Sequence, residues 1–222
     1  MLSIKNLKLF KPKNKGTLLQ IDELELPSTG MILLLGKNGS GKTTFLKSIC
    51  GLHSYFSGKI YWKGKELKSQ SFMERKGQVR YAAEPWPLPE FLTLKEYIQL
   101  GEFNNPDLIK KVIERLGISD LAEQNIARMS KGQQQKAMLA KVMFSSPELL
   151  LLDEPTNFLD YNSEKILWKV LEKEAKSRLI LCTIHSPQTA LNLKCDLLLI
   201  HNSQLSLLSK EKASLESLSK HL

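Results

Sequence analysis

The stretch Gly36-Lys37-Asn38-Gly39-Ser40-Gly41-Lys42-Thr43-Thr44 decides the fold of this chain. It follows residues 31–35, Met-Ile-Leu-Leu-Leu, which are apolar on both faces, as in a strand buried within a covered sheet. A helix-like pattern continues after it over residues 43–52. The spacing G-x-x-x-x-G-K-[ST] between a buried strand and a helix predicts a loop that binds phosphate groups.

Each residue type in this phosphate loop has a physical task. Glycines allow the backbone to turn its N–H groups inward as a nest for anions. Lys42 places a cation against the β- and γ-phosphates of a nucleotide, and Thr43 offers a hydroxyl to Mg²⁺. The N-terminus of the following helix adds positive potential beneath the phosphates. The loop alone does not separate kinases, GTPases and transport ATPases, because all three classes use it.

An acidic pair ends a second buried strand. Four leucines at residues 149–152 lead into Asp153 and Glu154. Successive strand residues point to opposite faces, so the two carboxylates should have different tasks. We assign Mg²⁺ binding to Asp153 and the general-base role to Glu154, which would order a water for in-line attack on the γ-phosphate. The alternative is an ordinary charged strand end at the surface, which the four preceding leucines disfavour.

The order of segments predicts an α/β fold. Residues 179–184 share the apolar character of residues 31–35 and 149–152. Buried strands that alternate with helices imply a mostly parallel sheet covered on both faces. The helix-like segments that join these strands lie at residues 43–52, 132–144 and 163–176.

Two regions extend this core. Residues 2–7 and 19–26 alternate apolar and polar side chains, which predicts an N-terminal antiparallel β portion. From about residue 86 to 126 the pattern is helical, which indicates an inserted α-helical subdomain. Its predicted helices lie at residues 94–100, 106–116 and 118–124. We therefore predict one domain over residues 1–222, with a nucleotide-binding core at 1–84 and 134–222 and the helical subdomain at 85–133.

Composition excludes several classes of protein. With 42% hydrophobic and 25% charged residues, the chain is expected to be globular and not disordered or fibrous. No apolar run approaches the roughly 20 residues of a membrane helix, and the first residues lack the apolar core of a signal peptide. The net charge of +9 suits an anionic partner, whether nucleotide, nucleic acid or anionic membrane face. The cysteines form no Cys-x-x-Cys pair, which argues against a cysteine metal site.

Several motifs in one order resemble a known family. The phosphate loop, Ser130-Lys131-Gly132-Gln133, Asp153-Glu154-Pro155-Thr156, Leu159-Asp160 and His185 resemble the ATP-binding subunit of an ABC (ATP-binding cassette) transporter. The resemblance covers nearly the whole chain. The segment that begins at Ser130 is the deciding one, because kinases and small GTPases have no such signature after a helical insertion.

The resemblance implies a shared ATP site. Two cassettes would pack head to tail, with each ATP between the phosphate loop of one subunit and the signature of the other. The Ser130 hydroxyl and the Gly132 N–H would donate to the γ-phosphate, and Gln133 would belong to the same nucleotide-binding segment. His185 would donate to the γ-phosphate and orient the attacking water together with Glu154. Asp160 would cross the dimer interface, or act only as a helix N-terminal acid.

Three positions depart from the family pattern. Lys131 replaces the first glycine of the signature, as in some exporter groups, and we expect function to be retained. Glu84 stands where the family has a glutamine that contacts Mg²⁺ and the attacking water. Since a carboxylate also binds Mg²⁺, we assign Glu84 to both the metal site and the catalytic site. The third departure is that no motif places the aromatic that stacks on adenine; Phe10 is our candidate, with a core side chain as the alternative.

The resemblance also implies a partner. We expect an integral membrane permease on a separate chain, docking at Glu84 and residues 86–93, with this subunit peripheral on the cytoplasmic face of the cell membrane. The Glu-Pro and Ser-Lys-Gly patterns favour export over import. The alternatives are a non-transport cassette, acting as an assembly scaffold or with nucleic acid, and a nucleotide sensor without turnover. We expect no nucleic-acid partner, because the insertion is too short for the modules of DNA-repair cassettes.

Overall fold

The computed structural model describes residues 1–11, 16–54, 56–83, 88–100 and 105–219. The strands are β1 (Leu2–Phe10), β2 (Thr17–Leu26), β3 (Gly30–Gly36), β4 (Phe56–Trp62), β5 (Lys65–Glu66), β6 (Val79–Ala82), β7 (Leu149–Leu152), β8 (Leu179–Thr183), β9 (Asp196–His201) and β10 (Gln204–Leu208). The helices are α1 (Lys42–Cys50), α2 (Phe72–Gln78), α3 (Leu94–Gln99), α4 (Pro106–Arg115), α5 (Lys131–Phe144), α6 (Tyr161–Glu174), α7 (Pro187–Leu193) and α8 (Leu215–Ser219).

The strands form a ten-stranded sheet in the order β5-β4-β1-β2-β10-β9-β3-β8-β7-β6. The five strands from β9 to β6 are parallel to one another. The N-terminal strands β1, β2, β4 and β5 pair antiparallel. A parallel core that continues into an antiparallel portion confirms the predicted fold class.

Two apolar layers cover the two faces of the central strands. On β3, Met31, Leu33 and Leu35 belong to one buried cluster, and Ile32 and Leu34 belong to the other. This alternation is why a strand buried on both faces reads as an unbroken apolar run. Helices α3 to α8 contribute buried residues to the first cluster. In the second, α1 shares a core with β1, β2 and β4.

The antiparallel portion is tied back to the parallel core at its far end. The Trp62 indole, at the end of β4, donates from Nε1 to Oε2 of Glu148 at 2.8 Å. Lys63 donates from Nζ to the other oxygen of the same carboxylate at 2.7 Å. Since Glu148 directly precedes β7, these bonds join the β4 end of the sheet to the β7 region. Residues of α1, the helix that begins in the phosphate loop, share one apolar cluster with both of these parts of the sheet.

The helical insertion contains fewer α-helices than predicted. Helices α3 and α4 occupy two of the three predicted segments, but residues 118–124 contain only a 3₁₀ turn at Ser119–Leu121. Gly117, at φ 64°, ends the preceding helix, and the segment after it is too short for a stable α-helix. Helix α5 runs across the predicted subdomain boundary at residues 133/134. No helix among the described residues is both long and apolar enough to cross a membrane.

Candidate functional site

The phosphate loop lies between β3, which ends at Gly36, and α1, which begins at Lys42. Gly39 (φ 77°) and Gly41 (φ 106°) have the left-handed backbone that only glycine adopts without strain. Gly41 is the N-cap of α1 and has no side chain to accept a bond from the N–H groups of the first turn. The helix therefore presents its N–H groups and the positive end of its dipole to the loop.

Lys42 is buried inside this loop. Only 6% of its surface is exposed, and Nζ donates to the carbonyls of Gly36 at 2.6 Å and Lys37 at 3.2 Å. Burial lowers the pKa of Lys42, and the carboxylates of Glu154 and Asp153 act in the opposite direction. The buried Oγ of Ser40 has no hydrogen-bond partner among the described residues. A buried cation beside an unsatisfied hydroxyl and uncapped helix N–H groups is chemistry that fits a phosphate group.

Asp153 follows β7 and is 7% exposed. The Tyr81 hydroxyl donates to its Oδ2 at 3.0 Å, and the Thr183 hydroxyl donates to its Oδ1 at 2.7 Å. Burial, followed by the charge of Asp153, raises the pKa of Tyr81, which keeps the phenol protonated as a donor. Both oxygens of the predicted metal carboxylate are thus oriented by neighbouring strands. Thr43, the other predicted Mg²⁺ residue in the described region, is partly exposed in the first turn of α1, as is Thr44.

Glu154 and His185, to which the resemblance assigns a joint role, lie in direct contact. Oε1 of Glu154 is 2.6 Å from Nε2 of His185, and Oε2 accepts from Nδ2 of Asn157 at 2.9 Å. The backbone N–H of Glu154 donates to Oγ1 of Thr183 at 2.7 Å. Three neighbours therefore fix the backbone and both carboxylate oxygens of the predicted base.

The predicted signature begins α5. Ser130 is the N-cap: its Oγ accepts from the N–H of Gln133 at 3.3 Å, and its own N–H donates to Oε1 of Gln133 at 2.8 Å. This capping box fixes the first turn. It uses the Ser130 oxygen as an acceptor, so the O–H hydrogen can still donate outward.

Helix α5 packs against the loop that carries Glu154. A Cβ on Gly132 would lie 2.6 Å from the carbonyl oxygen of Phe158, so only glycine fits there. Nε2 of the buried Gln135 donates to the carbonyl of Pro155, the residue after Glu154, at 3.2 Å. The signature and the acidic pair of one chain therefore meet across residues 155–158.

The remaining predicted site residues are Phe10, Glu84 and Asp160. Phe10 is partly buried at the end of β1, where the register with β2 shifts. A cavity of about 210 Å³ lies beside the phosphate loop and includes Lys11 and Leu18 in its lining, but not Phe10. Glu84 lies outside the described residues. Asp160 is the N-cap of α6 and accepts from the N–H and the hydroxyl of Ser163.

Sequence reasoning missed three members of this site: Tyr81, Thr183 and Asn157. Thr183 is the single polar residue of the buried strand β8, a signal that could have identified it. Tyr81 begins the short apolar run of residues 81–83 just before Glu84, and Asn157 follows Glu154 by three residues. None of them belongs to the motifs quoted above.

Comparison with known proteins decides the family. The family model described as ABC transporter matches residues 19–157, more than half of the chain. This chain belongs to the ABC transporter family. It is 31% identical over 192 residues to a probable ABC transporter ATP-binding protein of Cyanophora paradoxa, covering 83% of this chain and 78% of that protein. It is 29% identical over 198 residues to the manganese transport system ATP-binding protein MntB of Bacillus subtilis, covering 85% and 79%.

Solved structures of ABC transporters share the fold. A chain described as a metal-chelate type ABC transporter in an inward-facing conformation superposes with a TM-score of 0.79 at 21% identity, covering 99% of this chain and 88% of that one. A bacterial Atm1-family ABC exporter with ATP bound gives a TM-score of 0.85 at 17% identity, covering 99% and 39%. At these identities the likeness concerns the fold alone.

Family membership confirms the coarser sequence predictions. The chain is an ABC transporter ATP-binding subunit, and proteins of this kind bind ATP and are ATPases coupled to transport. They dimerise and work with membrane permease components.

Proposed function

We propose that this chain is the ATP-hydrolysing subunit of an ABC transporter. Two copies, or one copy and a homologous cassette, pack head to tail around two ATP molecules and drive a substrate through a separate membrane-spanning permease. The observation that carries the proposal is the pairing of Glu154 with His185 at 2.6 Å, at the same sheet edge as the buried Lys42 of the phosphate loop.

In this proposal the phosphate loop holds the ATP phosphates. The N–H groups of residues 37–44 surround them, and Lys42 exchanges a backbone carbonyl for a phosphate oxygen. Thr43 and Asp153 would hold Mg²⁺, together with Glu84, because hydroxyl and carboxylate oxygens are the ligands this ion prefers. When bound, the ion would neutralise charge on the phosphate oxygens. Adenine would lie near the cavity at Lys11 and Leu18, with Phe10 as its stacking candidate.

Glu154 acts as the general base. Its Oε1 or Oε2 accepts a proton from the attacking water as the oxygen of that water approaches the γ-phosphate in line. The contacts from His185 and Asn157 hold the carboxylate in place before the reaction. The Nε2–H of His185 can donate either to Glu154 or to a γ-phosphate oxygen, and so links the base to the group under attack.

The signature completes the site of the opposing copy. The outward O–H of Ser130 and the N–H of Gly132 at the start of α5 donate to the γ-phosphate held by the other phosphate loop. Gln133 keeps this turn in shape through the capping box. Loss of the γ-phosphate removes these contacts and loosens the interface, which converts hydrolysis into motion of the permease.

Glu154→Gln tests this function. The amide cannot accept the proton, so the rate of ATP hydrolysis should fall by about 10²–10⁴-fold, while ATP binding persists and the ATP-bound dimer accumulates. Phosphate release, nucleotide binding and size-exclusion chromatography with light scattering measure the three quantities. Glu123→Gln is the matched control, because Glu123 is 76% exposed and pairs with Lys95 at the surface. Hydrolysis at the wild-type rate in Glu154→Gln would contradict the assignment.

The direction of transport separates two candidate functions. Export is the direction that the Glu-Pro and Ser-Lys-Gly patterns favour. Import is the second candidate, because the names of several relatives specify import, among them an iron(3+)-hydroxamate protein of Bacillus subtilis and a zinc protein of Wolbachia pipientis, each 30% identical. The permease that purifies with this subunit, and the side of a vesicle on which its cargo accumulates, decide between them. Recovery with ribosomes or DNA and without a multi-span protein would instead support a non-transport cassette.

A further inference from the structure

One buried hydroxyl contacts both members of the acidic pair. Oγ1 of Thr183, in a residue with 0% exposure, donates to Oδ1 of Asp153 at 2.7 Å. The same oxygen accepts from the backbone N–H of Glu154, also at 2.7 Å. The other residues of β8 are all apolar, so this hydroxyl is an exception in its strand. An isolated polar group at such a position needs a reason, because burial of a hydroxyl costs free energy unless it is hydrogen-bonded.

The two bonds fix the direction in which the hydroxyl donates. A backbone N–H can only donate, so the bond from Glu154 requires the Thr183 oxygen to be the acceptor. The single hydroxyl hydrogen of Thr183 is then available for Asp153. Tyr81 donates to the other oxygen of the same carboxylate at 3.0 Å. The Asp153 carboxylate is therefore held at both ends, and one of those ends is joined through Thr183 to the backbone of Glu154.

The register of the central strands explains why Thr183 reaches both residues. Leu152, the last residue of β7, pairs with Cys182 of β8. Asp153 directly follows β7 and Thr183 is the last residue of β8, so the two residues meet where the parallel strands end. Two residues further along, His185 contacts the Glu154 carboxylate. Strand β8 and the residues that directly follow it therefore supply contacts to the backbone and to the side chain of Glu154.

We propose that Thr183 is a positioning residue for ATP hydrolysis, which holds Asp153 and Glu154 in a fixed relation to each other. This inference rests on the proposed function of Asp153 as a Mg²⁺ ligand and Glu154 as the base. Glu154 has a left-handed backbone, at φ 51°, which its local sequence does not favour. The bond from its N–H to Thr183 stabilises that conformation. Without the hydroxyl, the metal carboxylate loses one oriented oxygen and the base loses the contact that holds its backbone.

Thr183→Val removes the hydroxyl and keeps the shape of the side chain. Neighbours that orient ligands contribute about 10–100-fold to metal affinity or activity, so we expect kcat to fall, and the Mg²⁺ concentration for half-maximal rate to rise, by factors in that range. The KM for ATP should change less than threefold, since no contact to the phosphate loop is altered. Thr183→Ser retains the hydroxyl and should keep kcat within about threefold of wild type.

The matched control is Ser48→Ala. Ser48 is also buried, at 3% exposure, and its hydroxyl donates to the Thr44 carbonyl inside α1, away from the acidic pair. Its removal should leave kcat and the Mg²⁺ requirement unchanged. Thermal unfolding and ATP-analogue binding of every variant show whether the protein is folded.

The outcomes separate this inference from the proposed function. If the wild-type protein hydrolyses no ATP, the proposed function fails and the inference fails with it. If the wild type is active and Thr183→Val matches it in kcat and Mg²⁺ requirement, only the inference is overturned. Where Thr183→Val does not fold, Thr183→Ala makes the same comparison with Thr183→Ser. If neither valine nor alanine folds while serine does, the role of Thr183 is structural and the positioning proposal is overturned.

Discussion

Glu154 has an unusual backbone conformation for a residue with a side chain. Its φ of 51° lies in the left-handed region, which costs a non-glycine residue on the order of 1–3 kcal/mol. The bonds to Thr183, His185 and Asn157 offset that cost. Since the strained residue is the predicted base, the strain and its three supports together orient a carboxylate that a relaxed strand end would leave mobile.

Lys42 carries a buried charge that is unfavourable for the stability of the fold. Burial lowers its pKa, which means that the folded protein favours the charged amine less than the unfolded chain does. At neutral pH, which lies below the pKa of a lysine in the unfolded chain, the charge of Lys42 therefore opposes folding. The proposed phosphate ligand accounts for the retention of this lysine inside the loop, whereas stability does not.

Lys42→Ala should separate these two properties. ATP affinity should fall by about 10–100-fold, because a hydrogen bond to a charged group contributes about 1.5–3 kcal/mol. The melting temperature should stay the same or rise, for the reason just given. Isothermal titration with ATP and calorimetric unfolding measure both, with the exposed Lys169→Ala on α6 as control. Unchanged ATP affinity would contradict the phosphate-loop assignment.

Sequence patterns identified the candidate residues that belong to continuous motifs. The phosphate loop and the acidic pair are continuous motifs, and β3, β7 and β8 were predicted because strands buried on both faces are apolar throughout. Tyr81 and Thr183 were missed because they lie 72 and 30 residues from Asp153. Their contacts depend on the register of β6, β7 and β8, which no local pattern determines. The roles assigned to the individual site residues, including Glu84 and Phe10, remain predictions.

At the level of elements, α5 contacts the loop after Glu154. This contact joins the signature, which would bind the ATP of the opposing copy, to the proposed base of its own copy. Gly132 lies against the Phe158 carbonyl, and Phe158 itself has a left-handed backbone, at φ 64°. The bond from Gln135 to Pro155 is buried one helical turn further along. A shift of the signature helix must therefore displace the segment that follows the base.

Gly132→Ala tests this contact. The added Cβ would be 2.6 Å from the Phe158 carbonyl, so α5 and the loop must separate. We expect a loss of about 1–3 kcal/mol in stability, typical of overpacking, and at least a tenfold lower kcat as the base moves. Gly77→Ala in α2 is the matched control, because its Cβ meets nothing within 4 Å and should leave kcat unchanged. Normal turnover in Gly132→Ala would show that the contact does not position the base.

Over the whole molecule, the parallel strands bring distant segments to one edge of the sheet. The phosphate loop follows β3, the acidic pair follows β7 and His185 follows β8, because carboxyl ends of parallel strands share an edge. Strand β6 ends at Ala82, beside Leu152, so the described chain reaches this same edge just before the predicted docking segment of residues 84–93. A partner bound to that segment would be close to the nucleotide.

The described end of that segment is suited to such a partner. Phe91 is 81% exposed, whereas Leu94 and Ile98, which follow on α3, are fully buried. Thr93 begins α3 with a capping box, and the chain at Leu92 accepts from the N–H of Ile126, so the backbone around Phe91 is fixed. A large apolar side chain on a fixed backbone is the type of residue that anchors protein interfaces.

Phe91→Ser should therefore weaken the association with the permease while leaving the isolated ATPase unchanged. Loss of an aromatic anchor costs about 2 kcal/mol or more, roughly a thirtyfold weaker affinity. Recovery of the multi-span partner after gentle detergent extraction, compared with kcat in solution, measures the two effects. Leu207→Ser is the matched control, because Leu207 is a 50% exposed apolar residue on β10, outside the segment 84–93. Equal recovery of the partner with both variants would place the docking surface elsewhere on the molecule, and loss of kcat in Phe91→Ser would mean that the side chain supports the site itself.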